Sequence, residues 1–308
     1  MKLVGLLLLL LALVGVGWAW TPDKPRAELE ALYAGAPSEF SAVMGLRVHL
    51  RDSAPGDTSG KPVVLMLHGF GSSLHSYEAW AAGLAATHRV IRLDLPGAGL
   101  TGADPSGDYS DERGIEVLAA LLTQRGVVRA TVLGHSMGGR LAWRFAAARP
   151  DRVDRLVLVA PDGFASAGFD YGKAPDVGVL AQLMTVALPK AVLRLSLAPA
   201  YAQPEVVMTD AVVTRYHDLM LAPGVRPAII ARLQQLNLLP PEPLLRNIQA
   251  PTLLLWGESD QMIPIANAQD YLKALPNARL VALPGVGHVP QEEAAAAGLA
   301  ALQAFLGR

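Results

Sequence analysis

Residues 130–139 read Ala-Thr-Val-Leu-Gly-His-Ser-Met-Gly-Gly, a short β-branched and apolar run that passes through G-x-S-x-G into residues of helical spacing (Leu141, Ala142, Phe145, Ala146). A chain that must turn this sharply between a strand and a helix has few folds open to it. The pattern predicts a nucleophile elbow with Ser136 at its tip. A serine hydroxyl is a poor nucleophile at neutral pH, so it must stand clear of its surroundings where a base can reach it. Gly134 and Gly138 make the turn sterically possible, because side chains there would meet the backbone bending around Ser136.

Two further strand ends carry polar groups. Pro251-Thr-Leu-Leu-Leu-Trp-Gly-Glu-Ser-Asp260 reads as a buried strand, a Gly turn and a carboxylate, and Ala278 to Leu283 leads into Pro284-Gly-Val-Gly-His288. His288 is thus the candidate base for Ser136, and Asp260 the acid that fixes the imidazole tautomer. Asp162, close behind the expected strand Val153 to Val159, is a second candidate for the acid. The apolar run Pro62 to Leu67 ends in His68-Gly-Phe-Gly-Ser-Ser73, where small residues let backbone donors approach a ligand. The backbone N–H groups of Phe70 and Met137 are the expected oxyanion donors.

With H-G-F-G at 68–71, D-L-P-G-A-G at 94–99, G-H-S-M-G-G at 134–139, W-G-E-S-D at 256–260 and G-H-V-P-Q-E-E at 287–293, the chain resembles the α/β-hydrolase-fold serine hydrolases. Their triad order is Ser, Asp, His, as here. The resemblance implies a mostly parallel eight-stranded sheet flanked by helices, with an inserted helical cap. Glu293 fills a place where similar sequences have glutamate, five residues after the histidine. The proline often found soon after it is missing, and Ala294 to Ala297 follow instead.

Local pattern agrees with that architecture. Phe40 to Arg51 alternates around Met44-Gly45, predicting an antiparallel hairpin. Val90 to Leu93 and Val153 to Val159 add buried strands, separated by amphipathic segments around Tyr77 to Ala86 and Asp111 to Arg125, and alternation of this kind means a largely parallel sheet. Leu299, Leu302 and Phe305 predict a closing helix. From Asp162 the alternation stops and Pro-punctuated helices take over. One should use Val179, Leu180, Leu183, Met184 and Ala187; another should follow Thr209 through Val213, Tyr216 and Met220 to Pro223-Gly224. The expected division is a leader at 1–20, a linker at 21–37, a core at 38–161 and 246–308, and a cap at 162–245.

The leader is the second strong signal. Leu3 to Trp20 carries no charge, with Lys2 before it and Asp23-Lys-Pro-Arg26 after it. At about 18 residues it lies at the lower limit for spanning a bilayer and exceeds the usual signal-peptide core. An uncleaved membrane anchor with the catalytic domain outside the cytoplasm is expected; the weak small-x-small site Gly17–Ala19 leaves a cleaved signal, and so a secreted or periplasmic protein, as the alternative.

The 308 residues carry a net charge of −1, so nothing points to nucleic acid as a partner. The absence of cysteine excludes disulfides and a thiol nucleophile. His68, His75 and His135 cluster near the expected site without ligand spacing, so neither a metal nor a cofactor is expected. The reaction implied is hydrolysis of a small-molecule carboxylic ester, apolar or lipid-like, through an acyl-enzyme. Carbon–carbon bond or amide hydrolysis on the same triad, and ligand binding without turnover, are the alternatives.

Overall fold

The computed structural model describes residues 17, 19–57, 60–166 and 169–307. Its centre is an eight-stranded sheet in the order β1-β2-β4-β3-β5-β6-β7-β8. The strands are β1 Ser38–Val43, β2 Leu46–Asp52, β3 Val63–Leu67, β4 Arg89–Leu93, β5 Ala130–His135, β6 Val153–Val159, β7 Thr252–Gly257 and β8 Ala278–Leu283. β2 runs antiparallel to both β1 and β4, and every other pairing is parallel. The family's architecture is therefore present, hairpin included.

Strand periodicity sorts the core into two layers. Leu65, Leu67, Val132, Leu254 and Trp256 face the helices Asp111–Gln124 and Met137–Ala148. Val64, Met66, Leu133, Leu253 and Leu255 face Trp80, Leu84 and the C-terminal helix Ala295–Leu306. Both faces are covered, which is why the central strands read as continuous apolar runs rather than alternating ones. Ser110 caps the helix Asp111–Gln124 by accepting from the Arg113 N–H at 3.2 Å, with Asp111 and Glu112 in the first turn.

Between β6 and β7 the chain inserts helices Val179–Leu183, Lys190–Leu197, Pro204–Val207, Asp210–Met220, Val225–Gln235 and Glu242–Leu245. The helix expected after Thr209 is there, with the Thr209 hydroxyl accepting from the Val212 N–H. The one expected at Val179 differs. It ends at Leu183, leaving Val179 and Leu180 73% and 85% exposed, and only Met184 of its stripe packs against the buried cluster of the insertion. A helix of five residues is too short to carry an apolar stripe. The next residues are drawn away instead: Ala187 bridges to Trp20, and Thr21 N–H donates to Val186 O.

Residues 21–37, expected as a linker, hold the helix Arg26–Tyr33. Its Leu29 is fully buried in the cluster formed by Leu100, Leu188, Leu193, Tyr216 and Ile229. Lys24 pairs with Asp218 at 3.0 Å, and the Tyr33 hydroxyl donates to the same carboxylate at 2.9 Å. An eight-residue segment with few apolar positions gives a weak local signal; its partners lie far along the chain. Of the leader, residues 1–16 and 18 lie outside the described residues. Among the described residues no helix is long and apolar enough to cross a membrane.

Leu29→Ala should lower stability by about 2–5 kcal/mol, the usual loss for emptying a core leucine site. Leu32→Ala, on the exposed face of the same helix, should stay within about 0.5 kcal/mol. Urea unfolding of both variants checks this, and equal small effects would mean the helix does not belong to the cooperative unit.

Candidate active site

Ser136 sits between β5 and the helix Met137–Ala148 with φ 52° and ψ −120°, a strained conformation for a non-glycine residue. The surroundings hold it there. Ser136 N–H donates to Val159 O at 3.0 Å, and its carbonyl accepts from Arg140 N–H and Asp162 N–H at 3.0 and 3.1 Å. A Cβ at Gly134 would lie 2.1 Å from Gly138 O, and one at Gly138 only 2.3 Å from Leu67 O. Backbone touches backbone at both places, so neither glycine can be replaced without moving the turn.

Asp260 follows β7 and His288 follows β8, at the same carboxyl edge of the sheet, where open α/β sheets bind their ligands. The Asp260 side chain is fully buried; one oxygen accepts from Met262 N–H at 2.8 Å and Ile263 N–H at 2.9 Å, and the other lies 2.7 Å from His288 Nδ1. Because the carboxylate can only accept, Nδ1 carries the proton and Nε2 is left as an acceptor. The Ser136 hydroxyl makes no hydrogen bond to a described residue, but Ser136 and His288 line one cavity of about 170 Å³. In unliganded sites such contacts are often long and tighten on substrate binding.

The loop after β3 reaches the same cavity through Phe70, as does Met137 at the start of its helix. The N–H groups at a helix start have no intrahelical partner, and no described backbone acceptor takes the Phe70 N–H. His68 underpins this loop: its Nε2 accepts from Leu95 N–H at 3.0 Å, and its Nδ1 donates to Gly69 O at 2.8 Å. Burial pushes its pKa down, in keeping with a neutral imidazole held in one tautomer. His75 is likewise pushed down to about 4 by burial, the charge of Asp94 opposing.

Asp162 also lines the cavity but belongs to a different partner. Its carboxylate accepts from Arg140 Nη1 at 2.6 Å, and its carbonyl from Trp143 Nε1 and Tyr271 Oη at 3.1 and 3.0 Å. Burial raises its pKa while Arg140 opposes the rise. His288 therefore takes its carboxylate from β7 and not from β6. A second Asp–His–Ser chain, Asp94–His49–Ser38, has distances of 2.8 and 3.0 Å. Ser38, however, lies in the hairpin strand β1, and its hydroxyl already accepts from Arg51 Nε at 2.8 Å.

The family model described as the alpha/beta hydrolase fold matches residues 62–295, a span that includes the elbow, Asp260 and His288. The chain belongs to the alpha/beta hydrolase family. A dihydrolipoyllysine-residue acetyltransferase component of an acetoin cleaving system from Pseudomonas putida is 33% identical over 276 residues, covering 87% of this chain and 69% of that protein. A 2-hydroxy-6-oxo-6-phenylhexa-2,4-dienoate hydrolase from Burkholderia cepacia is 26% identical, covering 80% and 86%. Among solved structures, a bacterial membrane phospholipase A described as a virulence factor superposes with a TM-score of 0.73 at 27% identity, covering 99% of this chain and 98% of its own.

Several further groups support this hydrolase site. Glu293 accepts from Gly287 N–H at 2.6 Å and Gln203 N–H at 2.8 Å, tying the histidine loop to the insertion. Glu292 accepts from the hydroxyls of Tyr201 and Tyr216 at 2.7 and 3.0 Å and pairs with Arg215. His135, the variable residue of G-x-S-x-G, donates from Nε2 to His288 O at 2.7 Å, while His288 N–H donates to Ala200 O at 2.8 Å. Glu293 is visible beforehand through its distance from His288, and His135 through its place in the elbow; the Glu292 cluster carries no such signal.

Proposed function

We propose that this hydrolase cleaves carboxylic esters, apolar or lipid-like, through an acyl-enzyme on Ser136. The observation that carries the reading is the 2.7 Å contact of His288 Nδ1 with a buried Asp260, in a cavity that also holds the elbow serine. In this reading Ser136 Oγ attacks the ester carbonyl and its proton passes to His288 Nε2. The carbonyl oxygen becomes an oxyanion facing the N–H groups of Phe70 and Met137. Collapse breaks the bond to the alcohol, which leaves with the proton from His288. Water then attacks the acyl-enzyme, giving its proton to His288, and the acid departs as Ser136 is reprotonated.

Apolar residues of the cavity, among them Phe169, Leu233, Leu236, Met262 and Ile263, favour an apolar acyl group. Likeness to a phospholipase over nearly the whole chain supports the same substrate class. A second reading, hydrolysis of a carbon–carbon bond on the same serine, draws on the likeness to the dienoate hydrolase. We also infer that residues 1–20 keep the enzyme at a membrane. In support, Leu3 to Trp20 is uncharged, Trp20 meets the insertion at Ala187, and the helix shortly before Ala187 in the chain exposes Val179 and Leu180.

Asp260→Asn should lower kcat on p-nitrophenyl hexanoate by about 10⁴-fold, as expected for an imidazole left in the wrong tautomer. Asp162→Asn should reduce it far less, and Ser136→Ala should abolish it. Steady-state kinetics on the three variants decide the matter; the reverse ranking of the two aspartates would move the acid to β6.

Removing residues 1–19 should transfer the enzyme from carbonate-washed membranes to the soluble fraction, with turnover of small soluble esters retained. A shortened chain that still sediments with membranes would refute the anchor, as would a mature full-length protein whose mass shows that it begins near Trp20.

A further inference from the structure

The cavity that holds Ser136 and His288 is lined by two guanidinium groups, Arg140 and Arg232. Their electrostatic positions differ. Arg140 is neutralised on two sides, by Asp162 at 2.6 Å and Asp111 at 3.1 Å. Arg232, in the inserted helix Val225–Gln235, forms no ion pair with any described residue. Its protein contacts are the backbone carbonyls of Pro96, from Nη2, and of Tyr109, from Nη1 at 3.4 Å, with the Tyr109 ring 5.3 Å from its Cζ.

A guanidinium has five N–H donors, and these contacts use two. The remaining donors belong to a cation that the protein has partly withdrawn from water without an ion-pair partner among the described residues. Burial, reinforced by the like charge of Arg140 and only partly offset by Asp111, pushes Arg232 down to about 10. An uncompensated charge of this kind raises the free energy of the empty site, and an anion arriving beside it relieves that cost. Arg232 is half-buried rather than sealed, so a ligand in the cavity can reach it.

We propose that Arg232 is the anion-recognising side chain of the catalytic cavity, so that the preferred ester carries a second, negatively charged group beside its apolar portion. The planar fork of arginine suits an oxyanion with two equivalent oxygens, which a carboxylate and a phosphate diester both provide. Phe169, Leu233, Leu236, Met262 and Ile263 contact the apolar portion while Arg232 holds the charge. The substrate class is then an amphiphilic anionic ester. This assignment rests on the ester-hydrolase reading above.

The test pairs each anionic ester with a neutral counterpart. In the carboxylate arm, mono-p-nitrophenyl glutarate is paired with its methyl-capped counterpart; in the phosphate arm, dihexanoyl phosphatidylglycerol is paired with dihexanoylglycerol. For the full chain, kcat/KM should favour the charged member of at least one pair, and added salt should shrink the preference. Arg232→Gln should reduce the ratio of charged to neutral kcat/KM by about 10- to 100-fold, the range expected for losing a charged hydrogen-bonding partner. Arg232→Lys should restore part of it, and the arm with the larger loss identifies the anion. An unchanged ratio in both arms, or equal falls for both members of each pair, would overturn the proposal and leave Arg232 as a tether between the helix and the loop at Pro96. Calorimetric binding of monomethyl glutarate and of glycerophosphoglycerol to the Ser136→Ala chain, with and without Arg232→Gln, requires no turnover. Arg232-dependent binding in a protein that hydrolyses none of these esters would uphold the anion site and reject the ester reading; ester turnover without Arg232 dependence would do the opposite.

Discussion

Everything at the site hangs on the close approach of Gly138 to the backbone of Leu67. With no side chain between them, the helix Met137–Ala148 can begin directly above the end of β3, and the chain must reverse at Ser136 to enter it. The price is a serine at φ 52°, strain of about 1–3 kcal/mol that the buried sheet can carry. The same approach brings the loop holding Phe70 beside the start of that helix. The proposed nucleophile and oxyanion donors are thereby linked: a side chain at Gly138 would disturb both.

Charge organises what backbone packing leaves open. The loops after β3 and β4 meet on Asp94, which is fully buried and accepts from Leu74 N–H, Leu100 N–H and His49 Nδ1, each at 2.8 Å. Burial by itself would raise its pKa, but the hydrogen bond to His49 and the imidazoles of His49, His75 and His68 around it hold it well below the usual carboxylate range. Asp260 and Glu293 act in the same manner further along the edge, each carboxylate gathering backbone N–H groups or an imidazole from a loop that has no regular structure. The carboxyl edge of the sheet is thus assembled from loops cross-linked by buried acids, which explains how His288 is held between Asp260, His135 and Ala200 on a glycine-rich turn.

Much of this was legible in the sequence because parallel strands buried on both faces write themselves as apolar runs, and the polar residue just past each run marks the functional edge. Ser136, Asp260 and His288 each stand just past such a run, and the structure brings them to the same edge of the sheet. The segment 21–37 was not legible, since Leu29 is one buried residue in a short helix whose partners, Leu100 and Leu188 to Ile229, lie far along the chain. The helix expected at Val179 failed for the converse reason: an apolar cluster looked like a stripe, but the chain turns after Leu183 to meet Trp20. Arg232 gave no signal at all. What sets it apart is that no described carboxylate forms an ion pair with it, a property of three-dimensional neighbours and not of spacing.

The central claim is that Ser136, activated by His288 and Asp260, is the nucleophile. The most direct measurement is peptide mapping by mass spectrometry after reaction of the full-length protein with a fluorophosphonate. The account predicts a single stoichiometric adduct on the peptide containing Ser136, and strongly slowed labelling when His288 is replaced by alanine. An adduct on another serine, Ser38 included, or labelling of Ser136 at an unchanged rate without His288, would contradict it.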